Sequence, residues 1–241
     1  MAGGLSGKAP GAGIGAADAS KDAGRREVRL ASEAVLDALD ADLLAASRCY
    51  FGGGTAIALR YGEFRESVDI DFLVSSRSGY SRLRQLVRQP TGFNALTRRP
   101  VTTLRPVVAD RYGIRTLLDA GGEPIKFEIV LEGRIDLETP TQRDTVGGVP
   151  TLTPLDMAVS KLLANSDRWA DRAVFSRDVI DLAMMQMDPA LLCQAVAKAE
   201  SAYGPAIQAD LNKAVDSLRD SPHRLDDCMR ELRMSGTPKA V

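Results

Sequence analysis

Two aspartates, Asp69 and Asp71, alternate with apolar residues in residues 68–74. Such alternation predicts a β-strand. Residues two apart on a strand project from the same face, about 6–7 Å from one another. Adjacent carboxylates repel and are costly to desolvate, so stability alone does not favour the pair. A divalent cation removes this objection, because carboxylate oxygens shared with substrate phosphates are ligands that Mg²⁺ uses. The pair is therefore the first candidate for chemistry.

A glycine-rich turn precedes the aspartates. Gly53, Gly54 and Thr55 follow an apolar run, and residues 56–60 are good helix formers that stop at Gly62. Glycine lets the backbone turn tightly and approach a ligand closely. Free N–H groups and the positive dipole end at such a helix start favour a phosphate. The turn is our candidate for holding the phosphates of a nucleotide.

A β-hairpin is predicted for residues 113–120 and 124–131, which alternate in polarity around Gly121 and Gly122. In the second run Lys126 and Glu128 project from the face opposite the apolar residues. We expect Glu128 to lie on a strand next to the aspartates and to be the third carboxylate. The alternative is a solvent-facing glutamate on an edge strand.

The second half of the chain has helical periodicity. Helices are predicted for residues 154–166, 177–187, 189–201, 205–218 and 225–234, each with capping or breaking residues at its ends. Lys161 lies in an apolar run, where a buried lysine needs an anionic partner; the alternative is an extended side chain that reaches solvent. Asp178 and Asp181 share one helical face. Asp178 is also favoured there by the helix dipole alone.

Composition limits the classes of function. The chain has 241 residues, 44% of them hydrophobic, a net charge of −1, three cysteines and one histidine. One histidine disfavours zinc catalysis and histidine-based triads, and unpaired cysteines favour a reducing compartment. Because no apolar run is long enough to span a membrane, we expect a cytoplasmic protein without a membrane partner.

The chain divides into three predicted segments. Residues 1–24 are rich in glycine and alanine and predict a disordered tail. Residues 25–150 form the predicted catalytic core, which begins with a helix from 25 to about 47. Residues 151–241 form the predicted helical domain.

Arginines are concentrated between residues 75 and 115, where Asp110 is the only acidic residue. Because the planar guanidinium group suits phosphate contacts, this region is a candidate for binding a polyanion such as the acceptor end of an RNA. The alternative is an ordinary solvated surface. These arginines are Arg77, Arg82, Arg84, Arg88, Arg98, Arg99, Arg105, Arg111 and Arg115.

The motifs together resemble the nucleotidyltransferase superfamily and, within it, the AbiEii/AbiGii toxin-type family. The resemblance is carried by Gly53-Gly54-Thr55-Ala56, Arg65-Glu66-Ser67-Val68-Asp69-Ile70-Asp71, Lys126-Phe127-Glu128, the helix start containing Lys161, and Arg177-Asp178 followed by Asp181-Leu182. It implies an α/β (α+β) fold, with a mixed sheet and flanking helices followed by a C-terminal helical bundle. It also implies transfer of a nucleoside monophosphate from an NTP to an acceptor hydroxyl.

The resemblance further implies residue roles and partners. One or two Mg²⁺ ions would be held by Asp69, Asp71 and Glu128. The phosphates of the NTP would contact the glycine turn, which includes Thr55, and also Lys161 and Ser67. Arg65 would orient the site through Asp69. Asp178 would position or deprotonate the acceptor. For toxin relatives, the implied acceptor is a tRNA 3′ end or a protein hydroxyl, with a cognate antitoxin as partner.

The residues leave two other functions open. One is a nucleotidyltransferase of small molecules, of the antibiotic-modifying kind. The other is a catalytically silent member that binds a nucleotide or a partner protein, which would be favoured if the three carboxylates do not converge.

Overall fold

A mixed β-sheet carries the first half of the chain. The computed structural model describes residues 29–221 and 223–234, so the predicted tail at 1–24 lies outside the described residues. The sheet has the strand order β1-β2-β6-β5-β3, with β4 also paired to β5. Its strands are β1 (Cys49–Gly52), β2 (Ile70–Val74), β3 (Thr102–Thr103), β4 (Val108–Ala109), β5 (Gly113–Ala120) and β6 (Glu123–Leu131). A small separate hairpin joins β7 (Thr145–Val146) to β8 (Val149–Pro150).

Helices flank the sheet and form the second half of the described chain. The first, α1, covers residues 29–38. The others are α2 (Ala41–Ala46), α3 (Gly53–Arg60), α4 (Arg77–Val87), α5 (Pro154–Arg168), α6 (Arg177–Met184), α7 (Pro189–Tyr203), α8 (Ala206–Arg219) and α9 (Arg224–Glu231), with short 3-10 helices at Gly92–Leu96 and Arg172–Val174. The predicted fold class, a mixed sheet with flanking helices followed by a helical bundle, is confirmed.

The predicted hairpin is formed by β5 and β6. Gly121 and Gly122 make its turn with φ of 72° and 95°, a region that glycine enters without steric cost. On β6 the apolar side chains of Ile125, Phe127 and Ile129 are buried, as the alternating pattern predicts. β2 lies parallel to β6 on its other side. The alternation therefore buries one face of β6 and leaves Glu128 on the opposite face.

Aromatic side chains fill the core beneath the sheet. The ring centroids of Phe51 and Phe72 are 5.4 Å apart, those of Phe72 and Phe127 are 5.6 Å apart, and Phe93 packs edge-on against Phe127 at 4.8 Å. Full burial of each such side chain contributes roughly 1.5–3 kcal/mol. These rings pack β1, β2 and β6 against the same core, and so keep the polar faces of these strands together on the other side.

Two predicted elements differ from the structure. The helix predicted for residues 25–47 is broken, because Leu39 pairs with Thr97 and Asp40 caps α2 by accepting the Leu43 N–H at 3.0 Å. The strand predicted for 68–74 begins only at Ile70, so Asp69 precedes it. The break in the helix coincides with the long-range pairing of Leu39 with Thr97, and the Asp69 carbonyl oxygen accepts the Thr55 hydroxyl in place of a strand partner.

The helical half agrees closely with the sequence. Thr153 caps α5 by accepting the Asp156 N–H at 3.3 Å, and Pro154 occupies the first turn. One buried hydrophobic cluster extends from Ala31 to Cys228; the predicted boundary near residue 150 stays a prediction. None of the helices within 29–221 and 223–234 is long and apolar enough to cross a membrane.

Candidate active site

A cavity of about 570 Å³ lies between the polar face of the sheet and helices α5, α6 and α8. Its volume is in the range of small-molecule sites. Most of the predicted site residues line it: Gly53, Gly54, Arg65, Ser67, Asp69, Asp71, Glu128 and Lys161. Two predicted residues, Thr55 and Asp178, do not. The fold thus gathers residues from the glycine turn, two strands and the first helix of the bundle.

Asp71 and Glu128 lie side by side on the adjacent strands β2 and β6, and β1 pairs with the other edge of β2. Asp71 is in register with Glu128 on the parallel strand β6 and with Gly52 on the antiparallel strand β1. The glycine turn lies directly against this point, since a Cβ built on Gly53 would be 2.6 Å from Asp71 Oδ2. Asp69 lines the same cavity just before β2 begins.

The local field around Asp71 is negative. Burial raises the pKa of Asp71, and the neighbouring charges of Asp69 and Glu128 raise it further, while Lys126 and Lys161 oppose the shift. The Lys126 ammonium lies 3.0 Å from Glu128 Oε2. Its pKa is raised by the hydrogen bond to Glu128 and by the charges of Glu128, Asp71 and Asp69. A cation is therefore stabilised among these carboxylates.

A metal ion fits the chemistry of this donor set but not the present position of every side chain. No three acidic, histidine or cysteine side chains among residues 29–221 and 223–234 are arranged to hold a metal as they stand. Glu128 is paired with Lys126 and, at 3.5 Å, with Arg115. Carboxylate oxygens are the ligands of Mg²⁺. Because the cluster already attracts the Lys126 ammonium, it fits a hard divalent cation.

Thr55 and Arg65 both stabilise the loop before β2 through side-chain hydrogen bonds. The buried Thr55 hydroxyl donates to the Asp69 carbonyl oxygen at 2.5 Å and lies 2.8 Å from Ser67 Oγ. Arg65 forms a bidentate pair with Asp181, at 2.6 and 2.9 Å, instead of orienting the site through Asp69. Its guanidinium also packs on Gly54, where a Cβ would lie 2.1 Å from Arg65 Nη2. A buried arginine needs a carboxylate, and the fully buried Asp181 supplies it.

Lys161 is buried, and its side chain is 7% exposed. Its Nζ lies 2.7 Å from Asp181 Oδ2 and 3.1 Å from Asp178 Oδ1. The alternative in which it extends to solvent is therefore wrong. Lys161 lines the cavity as a cation held in place by two carboxylates from α6.

Asp178 lies behind the cavity, in contrast to its predicted place on the cavity wall. Arg168 donates two hydrogen bonds to it, at 2.6 and 2.9 Å, and Lys161 donates a third. Burial raises the pKa of Asp178, but the Arg168 hydrogen bonds and the Lys161 charge outweigh burial and lower it overall. Held as an ionised acceptor, Asp178 is better suited to positioning Lys161 and Arg168 than to taking a proton.

The helical half contributes cavity residues that the sequence analysis missed. Arg168 lies two turns after Lys161 on the same face of α5, a spacing that could have indicated it. Arg177, at the start of α6, has no ion pair among the described residues and also lines the cavity. Glu132 and Tyr203 line the far end, and no motif in the sequence indicated them.

Similar proteins were found at the level of family and structure. A family model described as the nucleotidyl transferase AbiEii toxin of a type IV TA system matches residues 35–234. The crystal structure of JHP933 from Helicobacter pylori has a TM-score of 0.40 and 16% identity, and the alignment covers 89% of this chain and 94% of that one. A provisionally assigned nucleotidyltransferase from H. pylori has the same TM-score and identity, with 89% and 96% covered. No curated protein matches the chain significantly.

The family match spans most of the chain and includes every residue that lines the cavity. The protein therefore belongs to the AbiEii family of nucleotidyltransferase toxins.

Proposed function

We propose that this nucleotidyltransferase moves a nucleoside monophosphate from an NTP to an acceptor hydroxyl in the cavity described above, and that it depends on Mg²⁺. A bond forms between the acceptor oxygen and the α-phosphorus, the bond from that phosphorus to the leaving pyrophosphate breaks, and the hydroxyl proton passes to solvent. The observation that carries the proposal is the register of Asp71 with Glu128 directly beside Gly53. This arrangement combines carboxylates with a backbone turn that suits phosphate.

The residues of this chain would divide the work. Asp69, Asp71 and Glu128 would hold Mg²⁺, which supplies charge neutralisation at the phosphates and lowers the pKa of a bound hydroxyl. The first N–H groups of α3, at Gly53 and Gly54, would donate to phosphate oxygens.

Positive charge for the triphosphate would come from the helical side of the cavity. Lys161, held by its two carboxylates, and Arg177, which has no ion pair among the described residues, would face the phosphates. Ser67 would contact them from the loop before β2. Thr55, Asp178 and Asp181 would act by holding these groups in position.

An RNA acceptor, such as a tRNA 3′ end, is favoured over a small molecule by the surface next to the carboxylates. β5 and β4 continue the sheet outward, with Arg115 in register with both Glu128 and Val108. Near this edge Arg105 and Arg111 are exposed and have no ion pair among the described residues. Several other arginines of the region bind local acceptors; Arg98, for example, pairs with Asp40, and Arg88 donates to the Ala109 carbonyl oxygen. As a type IV toxin-family member, the protein is also proposed to have a cognate antitoxin.

Label transfer tests the reaction. Each of four α-labelled NTPs is incubated with Mg²⁺, total tRNA and cell lysate. The wild type is compared with Asp71→Asn and with Asp136→Asn, an exposed aspartate outside the cavity. We expect label on RNA with the wild type and the control, and a loss of at least about 100-fold with Asp71→Asn, because a metal ligand is removed.

A second readout separates metal binding from turnover. Mg²⁺ should raise the melting temperature of the wild type and of Asp136→Asn but not that of Asp71→Asn, because only a folded site binds the ion. Label on protein would make a protein hydroxyl the acceptor. Equal label with Asp71→Asn and the wild type, or no label from a folded, Mg²⁺-responsive protein, would contradict the proposed reaction.

A further inference from the structure

The cavity has a polar end and an apolar end. The carboxylates, the glycine turn and Lys161 form the polar end. The opposite end is lined by Leu73, Val130, Leu163, Tyr203 and Ile207. The reaction steps above leave this apolar end without a role.

The distance between the two ends follows from the strands. Leu73 lies two residues after Asp71 on β2, Val130 lies two residues after Glu128 on β6, and the two are in register. A step of two residues along a strand covers about 6–7 Å, so Leu73 and Val130 lie about that far from Asp71 and Glu128. In a nucleotide the ribose separates the base from the α-phosphate by a similar span. The apolar end therefore lies about one ribose length from the carboxylates, where a base could be accommodated.

Tyr203 provides an aromatic surface there. It is the last residue of α7 and is 41% exposed, and Val130, which lines the same cavity, is 37% exposed. The Arg134 guanidinium lies 4.8 Å from the Tyr203 ring centroid but does not line the cavity, so it covers the ring from outside. Exposed aromatic rings stack on nucleic acid bases of any sequence.

Glu132 places a fixed acceptor beside this ring. Its Oε1 accepts the backbone N–H groups of Arg134 at 2.7 Å and Ile135 at 3.3 Å. The Tyr203 hydroxyl donates to Oε2 at 2.9 Å, the one hydrogen bond that this oxygen accepts from the described residues. Burial and the bond to Glu132 raise the pKa of Tyr203 to about 12, so the phenol remains a donor at neutral pH. A carboxylate can only accept, and it pairs with amino groups on base edges.

We propose that the apolar end is the nucleobase subsite of the incoming NTP, in which Tyr203 stacks on the base and Glu132 selects bases that carry an exocyclic amino group. The inference rests on the proposed function, because the phosphates must lie at the carboxylates. ATP, CTP and GTP carry such an amino group and UTP does not. UTP is therefore the poorest ligand of the four.

Equilibrium binding of the full chain tests the stacking. Calorimetric titrations with Mg²⁺ and each of ATP, CTP, GTP, UTP and inorganic tripolyphosphate are compared for the wild type, Tyr203→Ala and Tyr203→Phe. Tyr203→Ala weakens NTP binding about 10-fold, as expected for loss of one stacked base, and leaves tripolyphosphate binding unchanged. Tyr203→Phe retains the ring and binds NTPs within about 3-fold of the wild type. Tyr112→Ala is the control, because Tyr112 is an exposed tyrosine that lies outside the cavity with Arg111 over its ring. This variant changes neither NTP binding nor tripolyphosphate binding.

Glu132→Gln tests the selection. The glutamine amide keeps the shape of the side chain and one acceptor oxygen but adds an N–H donor, which can pair with a carbonyl oxygen of uracil. The ratio of the Kd for UTP to the Kd for CTP therefore falls several-fold. Equal weakening of NTP and tripolyphosphate binding by Tyr203→Ala, or NTP binding unchanged by it, would overturn the subsite. A wild type that binds tripolyphosphate but prefers UTP would overturn the role of Glu132. If the wild type binds no NTP and no tripolyphosphate, the proposed function itself fails.

Discussion

At the scale of single residues, Gly53 and Asp71 depend on each other. Gly53 has φ of 69°, and its Cα faces the Asp71 carboxylate so closely that any Cβ would lie 2.6 Å from Oδ2. A side chain here would be strained and would also displace a carboxylate that is proposed to hold the metal. The glycine thus serves both the turn and the position of Asp71.

Gly53→Ala should lower both stability and label transfer. The left-handed backbone costs about 1–2 kcal/mol for a residue with a Cβ, and the clash moves Asp71. Gly121→Ala is the matched control, because Gly121 has φ of 72° and nothing within 4 Å of a built Cβ. Urea unfolding should show a similar loss in the two variants, while only Gly53→Ala loses at least about 10-fold in transfer rate. Comparable activity in the two variants would show that the contact with Asp71 is unimportant.

At the scale of elements, buried charges fasten the helical half to the sheet. Arg65 comes from the loop before β2, Lys161 from α5 and Asp181 from α6, and the three side chains are at most 7% exposed. Phe175 and Ser176, both with φ of 51°, form the turn into α6. Two left-handed non-glycine residues cost about 1–3 kcal/mol each. The turn leads into a helix whose Asp178 and Asp181 both pair with Lys161.

Asp181→Asn should be strongly destabilising. It removes the charge that pairs with both Arg65 and Lys161, and breaking a buried ion pair costs roughly 3–5 kcal/mol. Asp216→Asn, on the exposed face of α8 in a pair with Arg219, should change the free energy of unfolding by less than about 1 kcal/mol. Urea unfolding of both variants measures the difference. A loss below about 1 kcal/mol for Asp181→Asn would mean that the network does not secure α6.

At the scale of the whole molecule, buried carboxylates couple folding to pH. Burial raises the pKa of Asp144 and Asp178, but hydrogen bonds and arginine or lysine charges outweigh it and lower both. A lowered pKa means that the folded state favours the ionised form. This stability is fully present above the ordinary aspartate value of about 3.9 and is lost as the pH falls through the folded pKa below it.

The pH dependence can be assigned with Asp178→Asn. At pH 7 this variant should be less stable than the wild type, because Arg168 and Lys161 lose their carboxylate. As the pH falls below about 4 and through the lowered pKa of folded Asp178, the wild type progressively loses the same charge by protonation, so the difference between the two should shrink. Urea unfolding at pH 7 and below pH 4 measures this. A difference that stays constant with pH would exclude Asp178 as a source of acid sensitivity.

Much of the fold could be predicted because it follows from neighbouring residues. Alternation along β6 put Glu128 opposite the apolar face, Gly121 and Gly122 marked the hairpin turn, and Thr153 with Pro154 marked the start of α5. The motifs around Asp71 and Lys161 also indicated the family that the comparison confirms. These signals are local: each depends on residues only a few positions apart.

The sequence by itself therefore determined the types of elements, the candidate carboxylates and the family. Only the tertiary structure decided which side chains meet. It paired Arg65 with Asp181, which is 116 positions away, moved Asp178 behind the cavity and brought Tyr203 to Glu132. Such pairings depend on how separate elements pack, and periodicity within one element carries no information about its distant neighbours.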